Sequence, residues 1–66
     1  MSRVEIGKQI LDLMDQQGLD QIQLAELAGI RRETVNRAIH ANERVGYGAY
    51  CKLAQALGTT FSLDTK

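Results

Sequence analysis

Residues 18–37 read GLDQIQLAELAGIRRETVNR, and this stretch decides the fold. Asp20 and Gln23 have the spacing of a helix capping box, and the apolar residues that follow recur at helical period. Gly29 is typical of a helix end, and residues 31–40 form a second short helical pattern. Only about three residues join the two helices, so they must cross steeply. The stretch therefore predicts helix-turn-helix geometry.

Helices are also predicted on both sides of this pair. Ser2 and Glu5 have capping-box spacing before a first helix that ends at Gly18. A fourth amphipathic helix is expected from Tyr47 to Gly58, with Cys51 as a small packing residue. The side chains predicted to face the core are Ile6, Ile10, Leu13, Met14, Leu24, Leu27, Ala28, Val35, Ala38, Ile39, Tyr47, Tyr50, Leu53, Ala54 and Leu57.

The hydrophobic period changes at the C-terminal end. Residues 59–64 include β-branched and aromatic residues, and the apolar Phe61 and Leu63 alternate with polar ones at 60, 62 and 64, which predicts a short β-strand. A lone strand needs a partner, and the same strand of a second copy across a two-fold axis is the simplest one. The predicted dimer-interface residues are Thr60, Phe61, Ser62 and Leu63. A surface that faces another protein is the alternative interpretation of Phe61 and Leu63.

Length and composition restrict the classes of function. The chain has 66 residues, which is one small domain over 1–66, and it has one cysteine, one histidine and no proline. No apolar run has the length of a membrane span, and the N-terminus does not lead into a signal-peptide core. We expect a cytoplasmic protein that has no membrane partner, no cofactor and no metal, and that is not an enzyme.

Charge is distributed unevenly although the formal net charge is zero. Residues 29–45 carry four arginines against two glutamates, so the middle of the chain is locally basic. Arginine presents a planar set of donors that suits phosphate oxygens and guanine edges. A solvated helix face is the alternative interpretation, and the charge pattern alone does not decide between them.

Four segments carry a family resemblance. GLDQ at 18–21, LAELAGI at 24–30, TVNR at 34–37 and KLAQALG at 52–58 resemble, in order and spacing, the Cro/C1-type (lambda-repressor-like, XRE) helix-turn-helix family. The resemblance implies an all-α domain of four to five helices, here followed by the predicted strand. It also implies that residues 20–28 position a recognition helix at 32–40, which lies in the major groove of double-stranded DNA.

The resemblance also assigns roles to individual residues. Base-reading roles fall on Arg32, Glu33, Asn36 and Arg37. Arginine can bind guanine, asparagine adenine and glutamate cytosine, although Glu33 could equally serve as an anion at the N-terminus of its own helix. Phosphate contacts are implied for Gln21, Arg31, Asn42, Arg44 and Lys8. His40 is a further phosphate contact, a residue that responds to pH, or a surface residue without a role.

Three departures from the family pattern accompany the resemblance. Arg31 stands where a Ser or Thr N-cap is usual, and Ala41 replaces the usual helix-ending glycine, so Asn42 is expected to adopt the left-handed conformation. The strand at 59–64 takes the place of a fifth helix and is similar to that of HipB-like antitoxins. The sequence thus predicts a homodimeric repressor that binds a palindromic operator. The alternative is an antitoxin that neutralises a toxin and represses its own operon.

Overall fold

Four helices follow one another in the computed structural model, which describes residues 2–61. They are α1 (Arg3–Gln17), α2 (Gln21–Ala28), α3 (Arg32–Ile39) and α4 (Tyr47–Leu57). Each of the four predicted helices is confirmed. Within the described part of the chain, no helix has the length and apolarity needed to cross a bilayer.

Side chains cap the first two helices as their sequences predict. The Glu5 amide donates to Ser2 Oγ at 3.2 Å, and the Ser2 hydroxyl lies 3.3 Å from Glu5 Oε1. The Gln23 amide donates to Asp20 Oδ1 at 2.7 Å while the Asp20 amide donates to Gln23 Oε1 at 3.0 Å, which completes a capping box. These bonds fix where α1 and α2 begin.

The core lies where one face of every helix converges. Ile6, Ile10, Leu24, Val35 and Leu53 are fully buried there. Its other buried members are Met14, Ala25, Ala38, Val45, Tyr50, Ala54, Leu57 and Phe61. Helix α3 packs against both α1 and α2, so the core holds the predicted recognition helix from two sides.

Two polar contacts tie the ends of the chain to this core. The Arg3 guanidinium donates to the Val45 carbonyl at 2.8 Å and lies 5.6 Å from the centre of the Tyr50 ring. Gln17 Nε2 donates to the Leu57 carbonyl at 2.9 Å, which joins the end of α1 to the end of α4. The first contact satisfies a loop carbonyl, and the second satisfies a carbonyl in the last turn of α4 that the helical hydrogen-bond pattern leaves unpaired.

The turn between α2 and α3 is set by Gly29. Its φ of 69° is in the left-handed region, and the Ile30 amide donates to the Ala25 carbonyl at 3.1 Å. This arrangement is a Schellman motif, which ends α2 abruptly. Ile30 and Arg31 then lead directly into α3, and α2 and α3 pack against each other.

Helix α1 approaches α3 closely at Gly7. A Cβ atom at this position would overlap the carbonyl oxygen of Ile39 and would lie 3.2 Å from that of Ala38. Only glycine allows the two backbones to come so near. The last turn of α3 therefore rests directly on the backbone of α1.

The end of α3 differs from the prediction. Ala41, not Asn42, adopts the left-handed conformation, with φ 58°. The Asn42 amide donates to the Arg37 carbonyl at 2.9 Å and the Ala41 amide to the Ala38 carbonyl at 3.2 Å, so a Schellman motif forms with alanine at the usual glycine position. These hydrogen bonds require the left-handed conformation at residue 41. Asparagine tolerates that conformation better than alanine, but Asn42 is one residue too late in the chain to adopt it in this motif.

The predicted strand is not found in its described part, residues 59–61. The Thr59 amide donates to the Ala54 carbonyl at 2.9 Å as part of the α4 cap, and Phe61 is buried in the core of its own chain. Within residues 59–61, the chain has no regular secondary structure and returns the aromatic ring of Phe61 to the core. Residues 62–64, which include Ser62 and Leu63 of the predicted dimer interface, lie outside the described residues.

Three side chains predicted to pack are instead exposed. Leu27 is 61% exposed because α2 buries only a narrow face, and the residue lies to one side of it. Tyr47 and Cys51 are one turn apart on the outer face of α4 and are both exposed. The prediction of Cys51 as a packing residue is therefore wrong, as is that of Tyr47.

Candidate nucleic-acid interface

The four residues predicted to read bases share one face of α3. Arg32, Glu33, Asn36 and Arg37 are all exposed, whereas Val35 and Ala38 between and after them are buried. Residues one turn apart on a helix point the same way, so the pairs 32–36 and 33–37 form two adjacent rows. A polar face backed by a packed apolar face is what a helix needs in order to enter a DNA groove.

Helix α2 completes this face. An open groove of about 620 Å³ is lined by Asp20, Gln21, Ile22, Arg32, Glu33, Asn36 and Arg37. The first turn of α2 thus lies beside the first two turns of α3. The structure brings the four predicted base-reading residues together with Gln21, the predicted phosphate contact at the start of α2.

Both the side chain and the backbone carbonyl of Asn36 make polar contacts. Its Nδ2 lies 3.5 Å from Gln21 Oε1, a long hydrogen bond, and its backbone carbonyl accepts from the His40 amide at 3.1 Å. The His40 ring also places Nδ1 2.8 Å from that carbonyl. Since a carbonyl only accepts, Nδ1 carries the proton, and the other ring nitrogen, Nε2, is on the opposite side of the ring. The contact between Gln21 and Asn36 joins the first turn of α2 to the exposed face of α3.

The N-terminus of α3 is electrically favourable for an anion. Arg31 has the extended backbone of an N-cap residue, but its side chain makes no capping hydrogen bond. The first amides of α3 therefore lack the side-chain acceptor that Ser2 and Asp20 provide for α1 and α2. Two exposed guanidinium groups, Arg31 and Arg32, lie at the same end. Helix dipole and arginine charge both favour a phosphate there.

The loop after α3 carries the next two predicted phosphate contacts. Asn42 Oδ1 accepts from the Arg44 amide at 2.9 Å, which is an Asx-type turn. The oxygen of Asn42 therefore shapes the loop, and Arg44 is exposed beyond it. Lys8 is exposed on α1 next to Gly7, the residue that touches the end of α3. Neither Lys8 nor Arg44 lines the groove.

Sequence reasoning gave no binding role to two residues that line the groove, Asp20, which it assigned to the cap of α2, and Ile22. Ile22 lines the groove and is 52% exposed, yet its apolar character gave no reason to assign it a role. The available signal was its position directly after Gln21 at the start of the positioning helix. Among the described residues, no three His, Cys, Asp or Glu side chains cluster in a way that could hold a metal ion.

Comparison with known protein families agrees with this geometry. Residues 9–63 match the helix-turn-helix family of the Cro/C1 (XRE) type, and the chain belongs to that family. Membership implies DNA binding, and proteins of this family are typically not enzymes. No curated protein and no solved structure matches the chain significantly.

Proposed function

We propose that this protein is a sequence-specific regulator of transcription, a dimeric repressor that reads a palindromic operator in the major groove. One observation carries the proposal: the exposed face of α3 and the first turn of α2 line a single polar groove. Arg32 or Arg37 binds guanine O6 and N7, Asn36 binds adenine and Glu33 accepts from cytosine N4. Gln21, Arg31, Asn42, Arg44 and Lys8 anchor the protein on phosphates.

Two copies are needed for useful affinity. The chain has equal numbers of acidic and basic residues, so a single domain gains little from long-range attraction to DNA. Two linked reading surfaces multiply their affinities through effective concentration. In the proposed complex, half-sites lie one helical turn apart, about 34 Å. The proposed contact between copies involves Thr60, Ser62 and Leu63. Phe61, which was predicted to join them, is buried in the core of its own chain and is not part of the proposed contact.

Selection of bound duplexes from a random DNA pool tests this proposal. We expect the wild-type protein to enrich an inverted repeat, and the Arg32→Ala and Arg37→Ala variants to lose preference at defined positions of each half-site. Lys52→Ala is the matched control, because it removes one exposed cation of α4 outside the groove. Arg44→Ala should weaken binding to all sequences alike. An unchanged preferred site in both the Arg32 and Arg37 variants would contradict the assigned roles.

An antitoxin is the second candidate function. The observation that favours it is a set of apolar side chains exposed away from the groove, Val4, Leu11 and Leu27. Such side chains could contact a toxin while the groove binds the operator. Co-expression with the product of an adjoining reading frame tests this function. Relief of growth arrest by this protein supports it, and continued arrest refutes it for that partner.

A further inference from the structure

Ile22 is the aliphatic residue among the seven that line the groove. It lies on the first turn of α2, and the residue is 52% exposed. Helix α2 buries Leu24 and Ala25 instead, so Ile22 is not required to complete the core. Isolated exposed apolar residues are common and need no explanation by themselves. The location of Ile22, inside a polar groove and next to Gln21, does need one.

Local helix chemistry does not favour isoleucine here. A β-branched side chain lowers helix propensity, and the first turn of a helix gains from an acidic residue or a capping group. An exposed Ile22 therefore offers α2 nothing that alanine or glutamate would not offer better. DNA, in contrast, presents apolar surface to a protein in the groove, namely the thymine methyl group and the carbon atoms of deoxyribose.

We propose that Ile22 contacts apolar surface of the bound DNA, either a thymine methyl group or the deoxyribose beside the phosphate bound by Gln21. The inference rests on the proposed function, since it needs the groove to face DNA. It adds an apolar contact from α2 to the polar contacts of α3. Binding removes the exposed part of Ile22 from water, and that burial is favourable without any change in charge.

Binding of the selected operator by Ile22→Ala tests the inference. We expect affinity to fall about tenfold, because most of the apolar area that the side chain buries on DNA is removed. The slope of log affinity against log salt should stay as in the wild type, since no phosphate contact is removed. Ile22→Val should retain most of the affinity. Threonine has nearly the shape of valine but carries a hydroxyl, so Ile22→Thr should lose affinity as the alanine variant does.

Leu27→Ala is the matched control. Leu27 is on the same helix and is 61% exposed, but it does not line the groove, so its removal should leave binding unchanged. Because Ile22 and Leu27 are both exposed, neither variant should unfold the domain, and thermal melts check this. Wild-type affinity in Ile22→Ala, an altered salt slope, or an equal loss of affinity in Leu27→Ala would overturn the inference.

Replacement of single thymines by deoxyuridine separates the two possible contacts. If Ile22 meets a methyl group, one replacement weakens the wild type and leaves Ile22→Ala unaffected. If it meets deoxyribose, no replacement matters, and Ile22→Ala is weaker on every sequence alike. Wild-type behaviour of Ile22→Ala, alongside a changed sequence preference in Arg32→Ala, refutes only this inference. Failure of the wild type to select any duplex refutes the proposed function as well.

Discussion

Replacement of Arg31 by serine should move stability and DNA affinity in opposite directions. Arg31 already has the extended backbone of an N-cap residue, with φ −77° and ψ 149°, close to the φ −76° and ψ 163° of Ser2. A serine there can accept from an amide of the first turn without rearrangement. The gain should be about 1 kcal/mol. For a domain of this size that corresponds to a rise in melting temperature of about 4–8 °C.

The same substitution removes an exposed cation from the N-terminal end of α3, which is proposed to face DNA. Log affinity decreases linearly with log salt concentration. If Arg31 binds a phosphate, this dependence should become shallower by about 1 for each phosphate released, or by about 2 for a dimer. Arg31→Ala is the matched control, because it removes the charge and provides no cap. Thermal unfolding and salt-dependent binding of both variants give the measurement. Equal melting temperatures for the two variants would refute the capping argument, and a wild-type salt slope would refute the phosphate contact.

Three further substitutions test the packing that supports the site. Ala41→Gly should raise the unfolding free energy by about 1 kcal/mol in chemical denaturation, because it relieves a left-handed alanine; a decrease would contradict this. Gly7→Ala should lower the free energy of unfolding by about 1–3 kcal/mol, because the new methyl group pushes α1 away from the Ile39 carbonyl. This cost should exceed the gain in helix propensity. Wild-type stability of the variant would show that the two helices can separate at no cost. Phe61→Ala should cost about 3–5 kcal/mol at every protein concentration, since the ring packs in its own chain; destabilisation only at low concentration would indicate an intermolecular role instead.

Local features of the fold could be predicted from the sequence because their causes are local. The caps at Ser2 and Asp20 depend on residues three positions apart. Asp20 and Gln23 form the full capping box, whereas at Ser2 the Glu5 amide bond forms but the Glu5 side chain contacts the Ser2 hydroxyl. The face formed by Arg32, Asn36 and Arg37 follows from helical period alone. The family resemblance supplied their assignment to DNA, and the match over residues 9–63 confirmed the family itself.

Contacts between distant parts of the chain could not be predicted in this way. Val45 has the sequence context of a loop, yet its side chain is buried and its carbonyl accepts from Arg3. The close approach at Gly7 depends on where α3 ends, which the sequence of α1 does not contain. Leu27 fits the helical period of the apolar residues in α2 but faces outward. The face that a short helix buries is decided by the elements packed against it.

The contact between Gln21 and Asn36 affects how operator preference can be changed. Asn36 Nδ2 lies 3.5 Å from Gln21 Oε1, so in the proposed complex the two carboxamides would meet the DNA as a contacting pair. If Asn36 reads a base and Gln21 binds a phosphate, as proposed, a new side chain at position 36 changes the base preference and also removes the contact to Gln21. Altered specificity at this position should therefore be reached by paired substitutions. A library that varies both positions at once will contain solutions that stepwise replacement does not reach.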